Sequence, residues 1–360
     1  MNLNSTFENK TVIITGHNGF KGSWLTAWLL SLGAKIHGIS LEPPTKPSIY
    51  ETSDLKEKIT DHRLNIENEK EISALIRKIK PDFIFHLAAQ PIVQYSYLKP
   101  IETWKTNVLG TLNILDSLRD SNLKCTAIFI TSDKCYQNLE WCWGYRENDQ
   151  LGGNDPYSAS KASAEIAISS YFNSYFKENN SEILIASARA GNVIGGGDWA
   201  KDRIVPDCIK AWTKNEPVSI RSGESTRPWQ HVLEPLSGYL TLAQKLSSNP
   251  SLNGNSFNFG PSLSNNYKVV DIVKELSKNW KNSKWIIQEN SIKESKILKL
   301  NCDKALHLLD WRPTLSFKDT MKYTIDWYFE FYKDKNINSF DLCTKQINDY
   351  TNRSRGTETL

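Results

Sequence analysis

The chain has no run approaching the roughly 20 consecutive apolar residues that a membrane helix needs, so no membrane partner is expected. Its first residues, M-N-L-N-S-T-F-E-N-K, have neither a basic region nor an apolar stretch, which argues against a signal peptide. An excess of one charge is also missing. The 44 Lys and Arg face 40 Asp and Glu, a net +4 over 360 residues. The basic residues are scattered among acids, and no nucleic-acid partner is expected. The six cysteines form no C-x-x-C pair, so no metal site is expected, and in so long a chain they read as reduced thiols in a cytoplasmic protein. No repeat and no low-complexity segment is present. What remains is a globular chain, 39% hydrophobic with mean hydropathy −0.48. It is long enough to bury a large core in one domain or two.

The first chemistry-bearing segment follows the short β-branched run Thr11 to Thr15, T-V-I-I-T, which suits a buried parallel strand. Next come Gly16, His17, Asn18, Gly19, Phe20, Lys21 and Gly22, then an apolar stretch of helical period, Ser23 to Leu32. Strand, glycine loop and helix is the context of a dinucleotide site. The glycines permit a tight turn and let backbone N–H groups approach a pyrophosphate at the helix start. The spacing is GxxGxxG rather than GxGxxG. His17 and Lys21 would add positive charge near the phosphates. The second strand, Lys35 to Ser40, ends on Ser40, where an acid would ordinarily hold the adenosine ribose of NAD; Glu42 lies two residues on. NAD and NADP are not separated by this feature.

Strands and helices then alternate. Strands are predicted near Ile59 to Ile66, over Asp82 to Leu87, over Cys125 to Thr131 and over Ile183 to Ala188. Helices are predicted over Glu69 to Ile79, over Thr103 to Arg119, and from Tyr157 to about Phe176. Repeated βα units predict an α/β fold, a doubly wound parallel sheet with helices on both faces. Ligands bind such sheets at the carboxyl ends of the strands. The glycine loop, Ala88-Ala89-Gln90 and Ser132-Asp133-Lys134 all fall at that edge. Residues 1–189 thus read as a Rossmann domain. Residues 190–347 read as a smaller substrate domain with segments returning to the first, and 348–360 as a loose polar tail.

Tyr157 and Lys161 stand four apart in D-P-Y-S-A-S-K and share a helix face. A cation beside a phenol favours phenolate, so Lys161 is expected to lower the Tyr157 pKa and make it a base. Beyond Arg189 lies a glycine-rich loop, G-N-V-I-G-G-G-D-W, followed by Arg203 and Arg227 among tryptophans. Arginine grips diphosphates in a bidentate manner.

T-G-H-N-G-F-K-G, H-L-A-A-Q-P, T-N-V-L-G-T, the YxxxK pair and R-A-G-N-V-I-G-G-G-D-W resemble the extended short-chain dehydrogenase/reductases that act on nucleotide-sugars. S-L-E-P-P-T-K-P-S-I-Y-E, T-S-D-K-C-Y and R-P-W-Q-H-V are similar, more narrowly, to the CDP-glucose 4,6-dehydratases, over about Lys10 to Trp327. Asn18 and Gln94 depart from the pattern. The resemblance implies a Rossmann domain with a carboxyl-terminal substrate domain, tightly held NAD, a homodimer, and a lyase acting on CDP-glucose. It implies a cofactor site of Gly16, His17, Gly19, Phe20, Lys21, Gly22, Ser40, Asn65, Ile66, Leu87, Ala88, Ala89, Asn107, Tyr157 and Lys161. Gln90, Asn192, Arg203, Arg227 and His231 would bind the nucleotide-sugar. Tyr157, helped by Ser132 and Lys161, would take the C4 hydroxyl proton while hydride leaves C4. Asp133 would protonate the departing C6 hydroxyl. Lys134 stands where related dehydratases have a glutamate, and serves either as a base at C5 or as an electrostatic stabiliser. Two other readings stay open: another nucleotide-sugar dehydratase or 4-epimerase of the same fold, or an inactive nucleotide-binding regulator.

Overall fold

The computed structural model describes residues 3–121, 123–178, 181–221, 223–262, 267–280, 283–288, 297–334 and 336–356. Among them, seven strands form one parallel sheet. In chain order these are β1 (Thr11–Thr15), β2 (Lys35–Ser40), β3 (Thr60–Arg63), β4 (Phe83–His86), β5 (Cys125–Ile130), β6 (Ile183–Ala190) and β7 (Ser256–Phe259). Their order across the sheet is β7-β6-β5-β4-β1-β2-β3. The direction of winding reverses between β1 and β4, where such sheets open a ligand crevice. The six strands expected from the sequence are present, with β3 shorter than predicted. The seventh was not foreseen.

β4 and β5 are buried along their whole length, as strands covered on both faces must be. Helix α1 (Phe20–Ser31) follows the glycine loop and α2 (Glu69–Ile79) precedes β4. The helix predicted over Thr103 to Arg119 is broken into Pro100–Trp104, a π turn over Lys105–Leu109, and α3 (Gly110–Arg119). Ile66 packs against Gly110 so closely that a Cβ there would sit 2.4 Å from its Cδ1. Helix α4 (Pro156–Tyr171) carries Tyr157 and Lys161 and ends in a π turn over Phe172–Phe176.

The carboxyl-terminal part adds α5 (Leu233–Ser248), α6 (Phe317–Lys333) and α7 (Ser339–Gly356). The loose tail expected over 348–360 is corrected as far as Gly356, where α7 ends; 357–360 lie outside the described residues. Leu342, Cys343, Ile347 and Tyr350 on α7 are buried, and Tyr350 packs edge-on against Trp28 of α1. Burial of that apolar stripe outweighs the polar composition of the segment. The Tyr350 hydroxyl also donates to Glu234 at 2.7 Å, tying α7 to α5.

Candidate active site

Helix α4 begins where the sequence D-P-Y-S dictates. Asp155 accepts from the Ser158 amide at 2.9 Å and Pro156 takes the first helical position. Tyr157 is therefore in the first turn, under the ends of the strands. Ser132 caps the short turn Asp133–Cys135 that follows β5, accepting from the Lys134 amide at 3.2 Å and donating to Asp133 Oδ1 at 3.0 Å. Tyr157, Ser132 and Asp133 are all buried.

Burial dominates the electrostatics. It pushes Tyr157 up to about 12; the Ser132 hydroxyl and Arg203 pull it down, and Asp133 and Asp155 push it further up. Lys161 is lowered to about 8 by burial, against Glu165 and Cys135. The expected depression of Tyr157 by Lys161 is thus not what the structure shows. The Lys161 Nζ donates instead to the Ile130 carbonyl at the end of β5, at 3.4 Å. The phenol is wrapped by low-dielectric surroundings that favour its neutral form.

Asp133 behaves as a candidate acid should. Burial raises its pKa, opposed by Lys134, Ser132, Arg227 and Lys21. Its Oδ2 has no hydrogen-bond partner. That atom would lie 3.1 Å from a Cβ on Gly191, so the bare glycine leaves room beside the carboxyl. Lys134 is partly exposed next to it.

Besides Lys134, three cations act on this acid and phenol. Lys21, in the first turn of α1, reaches Tyr239 Oη at 3.5 Å and is lowered to about 8 by burial and by Lys161 and Arg203. Its ammonium is turned towards Tyr239 and lies within the fields of Lys161, Arg203 and Asp133. Arg203 is held by Asp198 at 2.8 Å, and its charge acts on Tyr157. Arg227, on the two-residue strand Thr226–Arg227, donates to the Thr226 carbonyl at 2.8 Å, and its charge acts on Asp133. Asn192 follows Gly191, and its carbonyl accepts from the Gln230 amide at 3.1 Å.

The glycine loop fits a pyrophosphate. Gly16 has φ +73° and lies against Ala88, where an added Cβ would meet the amide nitrogen at 2.8 Å. Gly22 faces the Gly16 carbonyl, which a Cβ would meet at 2.1 Å. Both glycines are needed to close the loop. Gly19 differs: a Cβ there would meet only the Gly16 oxygen, at 3.4 Å. It starts α1 with no side-chain cap, leaving the helix N-terminus open to an anion. Phe20 points towards the glycine-rich loop after β6, its Cζ 3.2 Å from where a Gly195 Cβ would stand. The Leu87 and Ala88 amides bond to the Thr15 carbonyl and hydroxyl at 3.1 Å each, and fix the 87–89 segment, including Ala89, beside this loop.

One expectation is corrected, and several other residues named above are already engaged within the protein. His17 brings no charge to the phosphates. Its ring is fully buried under β2, with Nδ1 3.1 Å from Ser40 Oγ and Nε2 3.1 Å from Asp61 Oδ1. Burial lowers it to about 4, so it is neutral at pH 7. Ser40 is occupied by the same contact. The nearest acid, Asp61 on β3, is held by Tyr50 at 2.6 Å and Arg63 at 2.8 Å. Gln90 and Asn107 are tied to the protein by several bonds. The Gln90 side chain is engaged by Thr103 Oγ1, the Ile92 carbonyl and the Ile92 amide. Asn107 bridges Gln90 to Ser160 of α4. Ile66 is a core side chain whose carbonyl accepts from Asn113, and Asn65 accepts from the Glu67 amide at the end of β3. His231 is 0% exposed, packed between Trp24 and Tyr323, so no ligand reaches it in this conformation. Sequence reasoning missed Asp198 and Tyr239. Asp198 lies in the quoted G-G-G-D-W and could have been read as the partner of a nearby arginine; Tyr239 carries no local signal.

Residues 13–324 match the family described as GDP-mannose 4,6 dehydratase, and the chain belongs to it. Within that class, the chain is 43% identical over 351 residues to a CDP-glucose 4,6-dehydratase of Salmonella typhimurium, covering 96% of this chain and 97% of that protein. It is 28% identical to a CDP-paratose 2-epimerase of Salmonella typhi, over 88% of this chain and 98% of that one. Among solved structures, a dTDP-glucose 4,6-dehydratase of Bacillus anthracis in complex with NAD superposes with TM-score 0.74 at 20% identity, covering 90% of this chain and 98% of the other. That likeness establishes the fold.

Proposed function

We propose that the protein is a lyase that dehydrates CDP-glucose to CDP-4-keto-6-deoxyglucose with resident NAD. The observation that carries this reading is Asp133: a buried carboxyl, raised in pKa, with one oxygen unpartnered, beside Tyr157 and Ser132. A 4-epimerase has no hydroxyl to expel and no need of such an acid. The 43% identical relative is named for the same reaction.

When bound, NAD supplies a two-electron sink that removes hydride from C4 and returns it to C6. The chain's own residues handle the protons. Tyr157, bonded to Ser132, takes the proton of the C4 hydroxyl. Because burial holds the phenol near 12, that transfer depends on positive charge brought close to it, and Arg203 already acts in that direction. The C4 ketone acidifies the C5 hydrogen. Lys134 is assigned to C5, either as the base that takes that proton and returns it when hydride arrives at C6, or as the cation that steadies the charge over C4 and C5 while a solvent molecule takes and returns it. Asp133 gives its proton to the C6 hydroxyl, which departs as water. The sum is loss of one water with no net oxidation.

The glycine loop, the 87–89 segment and Lys161 are assigned to the cofactor, and Asn192, Arg203 and Arg227 to the nucleotide-sugar. Residues 1–189 would then serve NAD, and 190–347 mainly the sugar nucleotide. A homodimer is proposed through α3, α4 and the segment before them, where Tyr97, Leu98, Ile101, Leu109 and Ile166 stand exposed. The cytoplasm is the proposed compartment, in keeping with six free thiols. Incubation of the purified protein with CDP-, dTDP-, UDP- and GDP-glucose tests the reading. The alkali absorbance of a 4-keto-6-deoxy sugar is expected with CDP-glucose at the largest kcat/KM. No product from any of the four, or steady accumulation of NADH, would refute it.

A further inference from the structure

Glu165 lies one helical turn beyond Lys161 and is 3% exposed, yet no step above uses it. Its oxygens are fully engaged. Oε1 accepts from the Thr131 hydroxyl. Oε2 accepts from Arg189 Nη2 at 2.6 Å and Ser187 Oγ at 2.8 Å. Arg189 in turn donates from Nη1 to Tyr136 Oη at 2.8 Å and lies over the Tyr136 ring at 5.0 Å. Tyr136 is anchored on Asn258 of β7 at 2.7 Å. Thr131 and Tyr136 are the residues immediately before and after Ser132–Cys135. The ion pair therefore grips the catalytic turn at both ends. Well-packed apolar side chains would close the same space without the desolvation penalty that a buried pair carries.

We propose that the buried Glu165–Arg189 pair is the positioning element of the active site. Through Thr131 and Tyr136 it fixes the turn that presents Ser132, Asp133 and Lys134, and its carboxylate faces the Lys161 ammonium from one turn along α4. This rests on the roles given above to those residues. The groups whose charge bears on Lys161 are Glu165 on its own helix, Cys135 on the turn, His86 on β4 and Lys21 on α1. Burial keeps the Cys135 thiol neutral by raising it, and keeps His86 neutral by lowering it to about 3. Lys21 is a like charge. Glu165 is the anion of this set. Charged Lys161 is lost as pH rises through about 8, so removing the carboxylate moves that loss to lower pH.

The test uses the full-length enzyme and CDP-glucose, with CDP titration as the check of folding. Thr131→Val cuts one grip without touching a charge. It is expected to lower kcat about tenfold at parental KM with the alkaline limb of the kcat–pH profile unmoved. Glu165→Gln/Arg189→Gln removes both charges together. It is expected to lower kcat roughly 100-fold and to shift the alkaline limb down by about one unit. Parental kcat in Thr131→Val, or an unmoved alkaline limb in the double variant, overturns the proposal. If the double variant does not bind CDP, Tyr136→Phe beside Thr131→Val decides. Lowered kcat at parental KM in both supports the grip, and parental kcat in both overturns it. A parental enzyme that turns over no nucleotide-glucose would refute the assigned function instead.

Discussion

Asp133→Asn isolates the step that makes this site a dehydratase. Asparagine keeps the size of the side chain and an oxygen to accept from Ser132, which now donates to Asp133 at 3.0 Å. It removes only the acidic proton. Loss of a general acid costs roughly 10²–10⁴ in rate, or about 3–5 kcal/mol in barrier. The loss falls on one half of the reaction. Oxidation at C4 relies on Tyr157 and Ser132 and should proceed, whereas expulsion of the C6 hydroxyl should stall. Mixing the variant with CDP-glucose in a stopped-flow instrument should therefore give a burst of NADH absorbance that persists, with 4-keto-6-deoxy product formed about 10²–10⁴ times more slowly than by the parent. The sign of the pH dependence follows from the raised Asp133 pKa. The parent's elimination step, read as the decay of that NADH rather than as kcat, needs the protonated carboxyl and slows as pH climbs through that raised value. The variant should lack this slope. Parental product rates, or loss of the NADH burst together with the product, would refute the division of labour between Tyr157 and Asp133.

The glycine loop offers a contrast. Gly19→Ala should fold with unchanged thermal stability, because its Cβ meets only the Gly16 oxygen at 3.4 Å, yet bind NAD at least about tenfold more weakly by titration calorimetry. Gly22→Ala, with a backbone atom 2.1 Å from its Cβ, should lower Tm as well; equal Tm values for the two would contradict the loop geometry. Glu234 makes a stability prediction. It accepts from the Leu315 amide at 2.6 Å and from Tyr350 at 2.7 Å, and burial raises it from 4.5 to about 7. Its folded pKa exceeds its unfolded one, so the folded state binds the extra proton between those values and stability falls across that window as pH rises. The loss is about 3 kcal/mol at most. Glu234→Gln should flatten the dependence of unfolding free energy on pH between about 4.5 and 7; an unchanged slope would remove Glu234 from the account.

The alternation of β1 to β6 with helices was legible because buried parallel strands are near-continuous apolar runs, such as T-V-I-I-T and C-T-A-I-F-I-T. β7 was not: S-F-N-F is four residues long, carries a buried Asn258, and pairs with β6 across a long excursion. Helix α7 was hidden because Leu342, Cys343, Ile347 and Tyr350 are few among polar residues and earn their place only by meeting α1 and α5. The strand order places Tyr157, Ser132 and Asp133 near one another. It could not supply their electrostatics. Four-residue spacing put Lys161 and Tyr157 on one helix, but burial dominates both groups' states. Likewise a histidine in a glycine loop reads as a phosphate contact until Asp61 and Ser40 are seen to hold it.

The central claim is that one pocket removes hydrogen from C4 and returns it to C6 of the same hexose. CDP-glucose deuterated at C4, mixed with unlabelled substrate and followed by NMR and mass spectrometry, tests it most directly. The account predicts deuterium at C6 of the labelled molecules only, hydrogen from solvent at C5, and cofactor fully oxidised at the end. Deuterium released to the medium, left on the cofactor, or retained at C4 of a sugar that still carries its C6 hydroxyl would contradict it.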